Sequence, residues 1–311
     1  MLRFLRKWML VFSIILGVAL YFGWMALPFG PAYEGVAIKG ISSLQPWLIF
    51  AMLFLTFCKV ELRALRLYPW HWRALGLQAG AFLAGGILSL VAPSFLTSVL
   101  QAAILCFITP TATAAVVVVG KMKGNIEATT SYTILSNLLA ALLIPLVAPI
   151  VHPAHAHGLW EAVWTILARI FPMLVAPLLL ALGVRLFFKN LHRHILSFRD
   201  LAFYLWAISL TLAITVSTKS IVESKASLVL ISTIALVTFL ACSLQFFVGR
   251  KLGTTPIDAL TAGQSLGQKN TVFLIWVGYT YFHPLSAIAG GFYSIYHNVW
   301  NSYQLAKRNS A

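Results

Sequence analysis

Acidic side chains are scarce in this 311-residue chain, which has 7 Asp and Glu residues against 22 Lys and Arg residues. Charged residues make up only 9% of the sequence, 60% of it is hydrophobic, and the mean hydropathy is +0.89. This composition excludes a soluble enzyme and predicts a polytopic membrane protein. None of the acids lies at the centre of an apolar run. The predicted membrane interior therefore lacks a central carboxylate.

Cysteine is scarce too, and the chain has only 3 of these residues, without C-x-x-C spacing. This pattern favours neither a disulfide framework nor a thiolate metal site. His152, His155 and His157 flank a proline in a predicted external loop, where the lack of a fourth nearby ligand favours a solvated loop. We predict no cofactor and no metal. The net charge of +15 comes from short basic clusters between apolar runs, which is typical of topology signals and argues against a nucleic-acid partner.

Apolar runs of about 20 residues, the length that crosses a bilayer, indicate ten spans. The predicted spans are 8–28, 43–60, 73–93, 98–119, 127–151, 160–186, 201–217, 226–248, 256–281 and 284–304. The first follows basic residues as in a signal peptide, but it is long enough to span and is predicted to be retained. Of the 22 basic residues, Lys39, Lys219 and Lys225 fall on one side and Arg169 and Lys269 fall inside spans, which leaves 17 on the other side. This asymmetry predicts both termini in the cytoplasm, in a plasma or inner membrane.

Polar residues interrupt two of the ten predicted spans. They occupy residues 109–113 of the fourth span and 263–271 of the ninth. Downstream of each, Ser136-Asn137 in the fifth span matches His297-Asn298 in the tenth. Corresponding interruptions in two halves are typical of transporters with inverted repeats. We predict an all-α polytopic membrane protein with two inverted five-span repeats, 1–151 and 152–311, whose broken fourth and ninth helices cross.

The residue types at these interruptions are those that break a membrane helix and line a polar site. Pro110 removes a backbone donor, and neighbouring threonines either satisfy the freed backbone groups or face a ligand. Gly267 is expected to allow unwinding in the ninth span. Lys269 lies roughly 20 Å from each end of that span, too far to reach an interface.

These motifs resemble those of the bile acid:sodium symporter family over nearly the whole chain. The most specific pieces are residues 108–114, Lys123-Gly124-Asn125, residues 267–271, residues 284–287 and residues 296–298. The resemblance implies a core domain that carries the crossover, a panel domain that moves against it, and alternating-access transport of an organic solute, often an anion. The expected substrate-binding residues are Thr109, Pro110, Thr111, Thr113, Asn270, Thr271, His297 and Asn298.

The resemblance also implies two sodium sites, and the chain departs from both. At the first site Thr129 and Thr133 fit the fifth-span positions, but Ala115 and Val116 stand where the family usually has polar ligands. Losing these polar groups leaves fewer oxygen ligands for a cation. The first sodium site is therefore expected to be altered.

At the second site, Gln78 matches a third-span glutamine, but Ser265 and Lys269 replace the ninth-span acid and amide. Gln268 belongs to the same ion-binding segment. A lysine ammonium there would repel a cation by several kcal/mol. Our hypothesis is that Lys269 substitutes for the second sodium, as a fixed cation or as a titrating group that couples transport to protons. Sodium coupling stays open as the alternative.

Arg169, ten residues into the sixth predicted span, has two interpretations. Its side chain either reaches the outer interface or faces the cavity and attracts an anionic substrate, since a guanidinium suits carboxylates bidentately. We include it among the expected substrate-binding residues. Two basic residues and no acid inside the spans favour a small organic anion, in a protein otherwise surrounded by lipid.

Three other functions remain open beside this one. The first is a conventional sodium-coupled symporter that tolerates the substitutions. The second is an intramembrane serine hydrolase, because residues 263–267 satisfy the G-x-S-x-G pattern with Ser265 as nucleophile; that motif needs a strand-to-helix turn and a downstream acid, and no acid follows Asp258. The third is a membrane receptor that does not transport. We predict a transporter and not an enzyme.

Overall fold

The computed structural model describes residues 2–60, 65–153, 158–198 and 200–309. His155 and His157 lie outside these ranges. Within them the chain forms thirteen α-helices, one 3-10 turn at Pro284–Ala287 and no named strand. The helices are α1 Leu2–Met25, α2 Gly30–Cys58, α3 Pro69–Val91, α4 Ser94–Ile108, α5 Ala114–Lys121, α6 Ile126–Val151, α7 Leu159–Phe187, α8 Lys189–Ser197, α9 Leu201–Ser224, α10 Leu228–Leu252, α11 Pro256–Gly267, α12 Thr271–Tyr281 and α13 Ile288–Asn309.

Seven of these helices are long and apolar enough to cross a membrane, namely α1, α2, α3, α6, α7, α9 and α10. Two shorter apolar segments, Phe95–Ile108 and Thr271–Tyr281, belong to α4 and α12. Helices satisfy their own backbone hydrogen bonds, which a hydrocarbon environment requires. The protein is thus an all-α polytopic membrane protein, as its composition predicts.

Short polar side chains begin the helices that carry the central polar region. Asn125 accepts a hydrogen bond from the Ala128 amide at the start of α6, and Thr255 accepts one from Asp258 at the start of α11. Each bond satisfies one of the orphan amides of a first helical turn. The caps therefore define where these two helices begin.

The helices pack in two groups. In one group α1, α2, α7 and α9 contact one another, and in the other α10 packs against α11, α4 and α13, while α3 packs against α4 and α6. Contacts of α6 with α7 and of α12 with α9 join the groups. Between α2, α9 and α12 a cavity of about 10 Å³ remains, beside the bond from Trp276 Nε1 to the Ser42 carbonyl at 3.1 Å. The two groups therefore pack directly against each other.

Two predicted boundaries need correction. The second span was expected at 43–60, whereas α2 begins at Gly30, directly after a turn so tight that an ideal Cβ there would lie 1.8 Å from the Trp24 carbonyl oxygen. Hydropathy missed the first turns of α2 because they are polar. Glu34 in these turns is paired with Lys219 at 3.2 Å. The tenth span, expected at 284–304, starts with the 3-10 turn and extends to Asn309.

Candidate functional site

Both polar stretches break a helix. Between α4 and α5, Thr109 is extended (φ −51°, ψ 129°), as the residue before Pro110 is expected to be. Between α11 and α12, Gln268 is extended (φ −89°, ψ 116°), and the Asn270 side chain accepts the Phe273 amide at 3.2 Å to begin α12. Each break therefore produces two half-helices with their ends in the interior.

The two extended segments pair with each other in antiparallel fashion. The Asn270 amide donates to the Pro110 carbonyl at 2.9 Å, and the Ala112 amide donates to the Gln268 carbonyl at 3.0 Å. Thr111 and Lys269 face each other between these bonds. The pairing satisfies backbone groups that the breaks would otherwise leave bare in a buried environment.

The two facing side chains make matching contacts. Thr111 Oγ1 donates to the Ser265 carbonyl at 2.7 Å, and Lys269 Nζ donates to the Phe107 carbonyl at 3.0 Å. Ser265 precedes Lys269 by four residues, and Phe107 precedes Thr111 by four. Thr111 therefore bonds to the half-helix that ends just before Lys269, and Lys269 bonds to the half-helix that ends just before Thr111. The two contacts are related as by a pseudo-two-fold axis between the segments.

Lys269 is fully buried, with 0% of its surface exposed. Its ammonium has three N–H donors, and its one described hydrogen-bond acceptor is the Phe107 carbonyl in the last turn of α4. Among the described residues, no ion pair with a carboxylate is found for this ammonium. The amino group therefore faces the negative end of a half-helix and not an ion-pair partner.

Gln78 of α3 shares the carbonyl that holds Lys269. Its Nε2 donates to the Phe107 carbonyl at 2.7 Å, and its Oε1 accepts from the hydroxyl of the buried Tyr132. Both polar atoms of the amide are therefore occupied, and the predicted ion ligand is used to hold the end of α4.

Gln245 of α10 approaches the same end of α4 from another side. Its Nε2 lies within hydrogen-bonding distance of the Cys106 carbonyl, at 3.1 Å, and of the hydroxyl of the buried Tyr293, at 3.2 Å. That tyrosine donates to the Gly267 carbonyl at the end of α11, at 2.8 Å. The C-terminal ends of α4 and α11 are thus joined through side chains as well as through the crossover.

Hydroxyl groups of α6 line the crossover. Ser136 Oγ accepts the Thr111 amide at 3.1 Å, and Ser265 Oγ donates to Thr129 Oγ1 at 3.1 Å. One turn along α6, Thr133 Oγ1 donates to the Thr129 carbonyl at 2.8 Å. The structure therefore brings the predicted ion-site residues Thr129 and Ser265 into direct contact, with Thr133 adjacent.

On the α13 side, Thr271 and Ser294 hydroxyls lie 2.6 Å apart, and Asn298 Nδ2 donates to the Ser294 carbonyl at 2.7 Å. His297 is 6% exposed, and the centroid of its ring lies 5.7 Å from that of the Tyr293 ring, in an edge-on contact. The His297 Nδ1 atom is buried and has no hydrogen-bond partner among the described residues. The predicted residues Thr271, His297 and Asn298 therefore lie in one region, next to the start of α12.

Other predicted residues lie at the edge of this region or away from it. Thr109 Oγ1 donates back to the Leu105 carbonyl at 2.6 Å, and Thr113, half-buried, precedes α5 without capping it. Gln268 donates to Gln264 one turn earlier. Arg169 is exposed on α7, with Tyr281 among its interaction partners. Since Tyr281 ends α12 about 15 Å from the crossover, the structure does not bring Arg169 into the crossover.

Gly267, which is expected to allow unwinding, lies directly before the break. It is the last residue of α11, the break begins after it, and no described glycine has a positive φ. An ideal Cβ at this position would lie 2.4 Å from Cγ of Phe246. The glycine therefore provides room for an aromatic ring of α10 and not a left-handed turn.

The residues of the region that were not predicted from the sequence include Tyr132, Tyr293, Gln245 and Ser294. The sequence does contain a signal for the tyrosines. Tyr132 precedes Asn137 by five residues, and Tyr293 precedes the matching Asn298 by five residues. Gln245 is a polar residue inside a predicted span, and that alone marks it for attention. No known family model matches the chain, and no curated protein matches it at a significant level.

Proposed function

We propose that the protein is a secondary active transporter of a small organic anion that works by alternating access and resembles the bile acid:sodium symporters. The observation that carries the proposal is the crossover of two broken helices. In it Thr111 and Lys269 each bond to a backbone carbonyl of the other broken helix. Broken helices in corresponding positions of inverted repeats typically form transport sites near the midplane.

The helix order supports ten spans in this proposal. Seven long helices, the pairs α4–α5 and α11–α12, and α13 make ten crossings, with α8 on the surface. The basic residues between the helices then collect on the side of both termini, which we assign to the cytoplasm. The group of α1, α2, α7 and α9 would form the panel, and the remaining spans would form the core with the crossover.

Half-helix ends support an anionic solute. The N-termini of α5 and α12 both begin at the crossover, and helix N-termini favour negative charge. The Lys269 ammonium adds a positive charge to the same region. A carboxylate or similar anion would be attracted by all three, whereas a cation would be repelled.

The contacts of Lys269 support its role as a built-in cation. C-terminal ends of half-helices commonly coordinate the coupling ion in such transporters, and here the α4 end receives the ammonium instead. Two unit charges 4 Å apart at an effective dielectric of 20 repel by about 4 kcal/mol, which would weaken sodium binding about a thousandfold. We therefore propose transport without the second sodium.

Thermal stabilisation of the purified protein by a panel of organic anions tests the proposal, in sodium and in potassium buffers. We expect wild type to be stabilised by some anions equally in both buffers, and Lys269→Gln to lose the effect. The matched control is Lys251→Gln, which removes an exposed lysine 4.4 Å from the Phe247 ring centroid. Stabilisation that needs sodium in wild type would contradict the proposed role of Lys269 and favour the conventional symporter.

Uptake of a stabilising anion into proteoliposomes tests transport itself, and no uptake or exchange would favour the receptor. Uptake driven by a sodium gradient alone, at constant pH, would argue against Lys269 replacing sodium. Uptake driven by a proton gradient would favour a titrating lysine over a fixed cation.

A serine hydrolase is tested separately. Ser265 lies inside α11, is fully buried, and donates to Thr129. We expect no labelling by a fluorophosphonate probe in wild type or in Ser265→Ala. Labelling that disappears in Ser265→Ala would support the hydrolase.

A further inference from the structure

The short helix α8, between α7 and α9, differs from the rest of the fold. It has nine residues, none of them buried, and it follows α7 after the single residue Phe188. Lys189 and Arg193 lie one turn apart on one face, and Leu191 and Ile195 lie one turn apart on another. This distribution is typical of a helix that lies in a membrane interface.

Side chains hold α8 against the end of α2. His192 Nε2 lies 2.8 Å from the Cys58 carbonyl, and Arg185, in the last turn of α7, donates to the Val60 carbonyl. These bonds tie the corner between α7 and α8 to the bundle although the helix itself is exposed. The position of its basic face is therefore defined by the fold.

The corner between α7 and α8 borders a shallow surface cleft of about 520 Å³ that is open to solvent. Its walls are Leu186, Phe187, Phe188 and Leu191, together with Lys189 and Asn190. Phe187 is 78% exposed and Phe188 61% exposed. The cleft thus combines an apolar wall, at the C-terminal end of the apolar helix α7, with a cationic rim on α8.

The rim is rich in basic residues, and the first acid after it in the sequence is Asp200, just before α9. Residues 185–199 contain Arg185, Lys189, Arg193 and Arg199 and no acid, although Arg199 lies outside the described residues. Arg193 Nη2 donates to Asn190 Oδ1 at 2.6 Å, which directs this guanidinium toward the cleft. Lysine and arginine beside a membrane surface bind anionic headgroups.

We propose that this cleft binds the headgroup of an anionic phospholipid. Lys189 and Arg193 contact the phosphodiester, and the exposed apolar side chains of Leu186 and Phe187 contact the acyl chains. The lipid fixes the α7–α8 corner at the membrane surface. This site is independent of transport and of the identity of the transported solute.

Binding of phosphatidylglycerol and phosphatidylcholine to the full-length purified protein, measured by native mass spectrometry in a neutral detergent, tests the proposal. We expect wild type to bind phosphatidylglycerol preferentially. Lys189→Gln/Arg193→Gln should weaken that binding about tenfold and leave phosphatidylcholine unchanged. Lys189→Arg/Arg193→Lys should retain the preference.

The matched control is Lys121→Gln/Lys251→Gln, which removes two exposed lysines outside the cleft. An equal loss in this control would overturn the proposal, because the attraction would then come from the overall charge. Competition by glycerol phosphate or inorganic phosphate at equal concentration would also overturn it, since a lipid site requires the acyl contacts. Thermal unfolding in detergent establishes that each variant is folded before binding is compared.

Discussion

If Lys269 replaces the second sodium as proposed, replacing Lys269 by glutamine and Ser265 by glutamate should give a protein that sodium stabilises. The double change removes the buried ammonium that bonds to the Phe107 carbonyl and adds a carboxylate one helical turn before it. Ser265 is already in contact with Thr129, so the new carboxylate would join existing oxygen atoms. The freed end of α4 would then offer its carbonyl to the ion.

The size of the effect follows from binding linkage. If sodium is present at about ten times its dissociation constant, it stabilises the folded state by about 1.4 kcal/mol. This corresponds to a rise in the unfolding temperature of roughly 2 °C. In wild type the repulsion of about 4 kcal/mol from the ammonium removes that binding.

The assay is thermal unfolding of purified wild type, both single variants and the double variant in equal concentrations of sodium or potassium chloride. Wild type should show no difference between the salts, and Ser265→Glu alone should show none because its carboxylate pairs with Lys269. The double variant should unfold at a higher temperature in sodium. A sodium-specific rise in wild type, or its absence in a folded double variant, would refute the reasoning.

Two further predictions concern stability alone. Gly267→Ala should destabilise the protein by about 1–3 kcal/mol because its Cβ meets the Phe246 ring, whereas Gly183→Ala, where nothing lies within 4 Å, should not; thermal unfolding compares them, and equal effects would contradict the steric argument. Tyr132→Phe should cost about 1–3 kcal/mol because it leaves the buried Gln78 Oε1 without its donor; an unchanged unfolding temperature would mean that another donor replaces it.

Much of the helical framework was predictable, since long apolar runs have few alternatives in a membrane. The sequence prediction missed helical segments that are rich in polar residues. The first turns of α2 carry Glu34 and Lys39, and α8 is mostly polar, so a hydropathy count omits both. Their helicity depends on tertiary contacts, such as the pair of Glu34 with Lys219, which no local pattern reveals.

The location of the central polar region was predictable from Pro110 and from the depth of Lys269. Its wiring was not. That Lys269 bonds to the Phe107 carbonyl depends on how two segments 158 residues apart pair, and sequence spacing does not give that register. Arg169 had two interpretations in the sequence, the outer interface or the cavity, and the structure places its side chain on an exposed face of α7.

The two buried lysines of the structure make the strongest case for an anion. Lys219, 9% exposed, lies 3.2 Å from Glu34 and also pairs with Glu223. Lys269, 0% exposed, has only a backbone carbonyl as its described acceptor. A buried ammonium without a counter-ion costs several kcal/mol, and a bound anion beside it would recover much of that cost. An anion that stabilises wild type should therefore have no effect on Lys269→Gln and should retain its effect on Lys219→Gln, measured by thermal unfolding. The reverse order would assign the anion to the C-terminal end of α9.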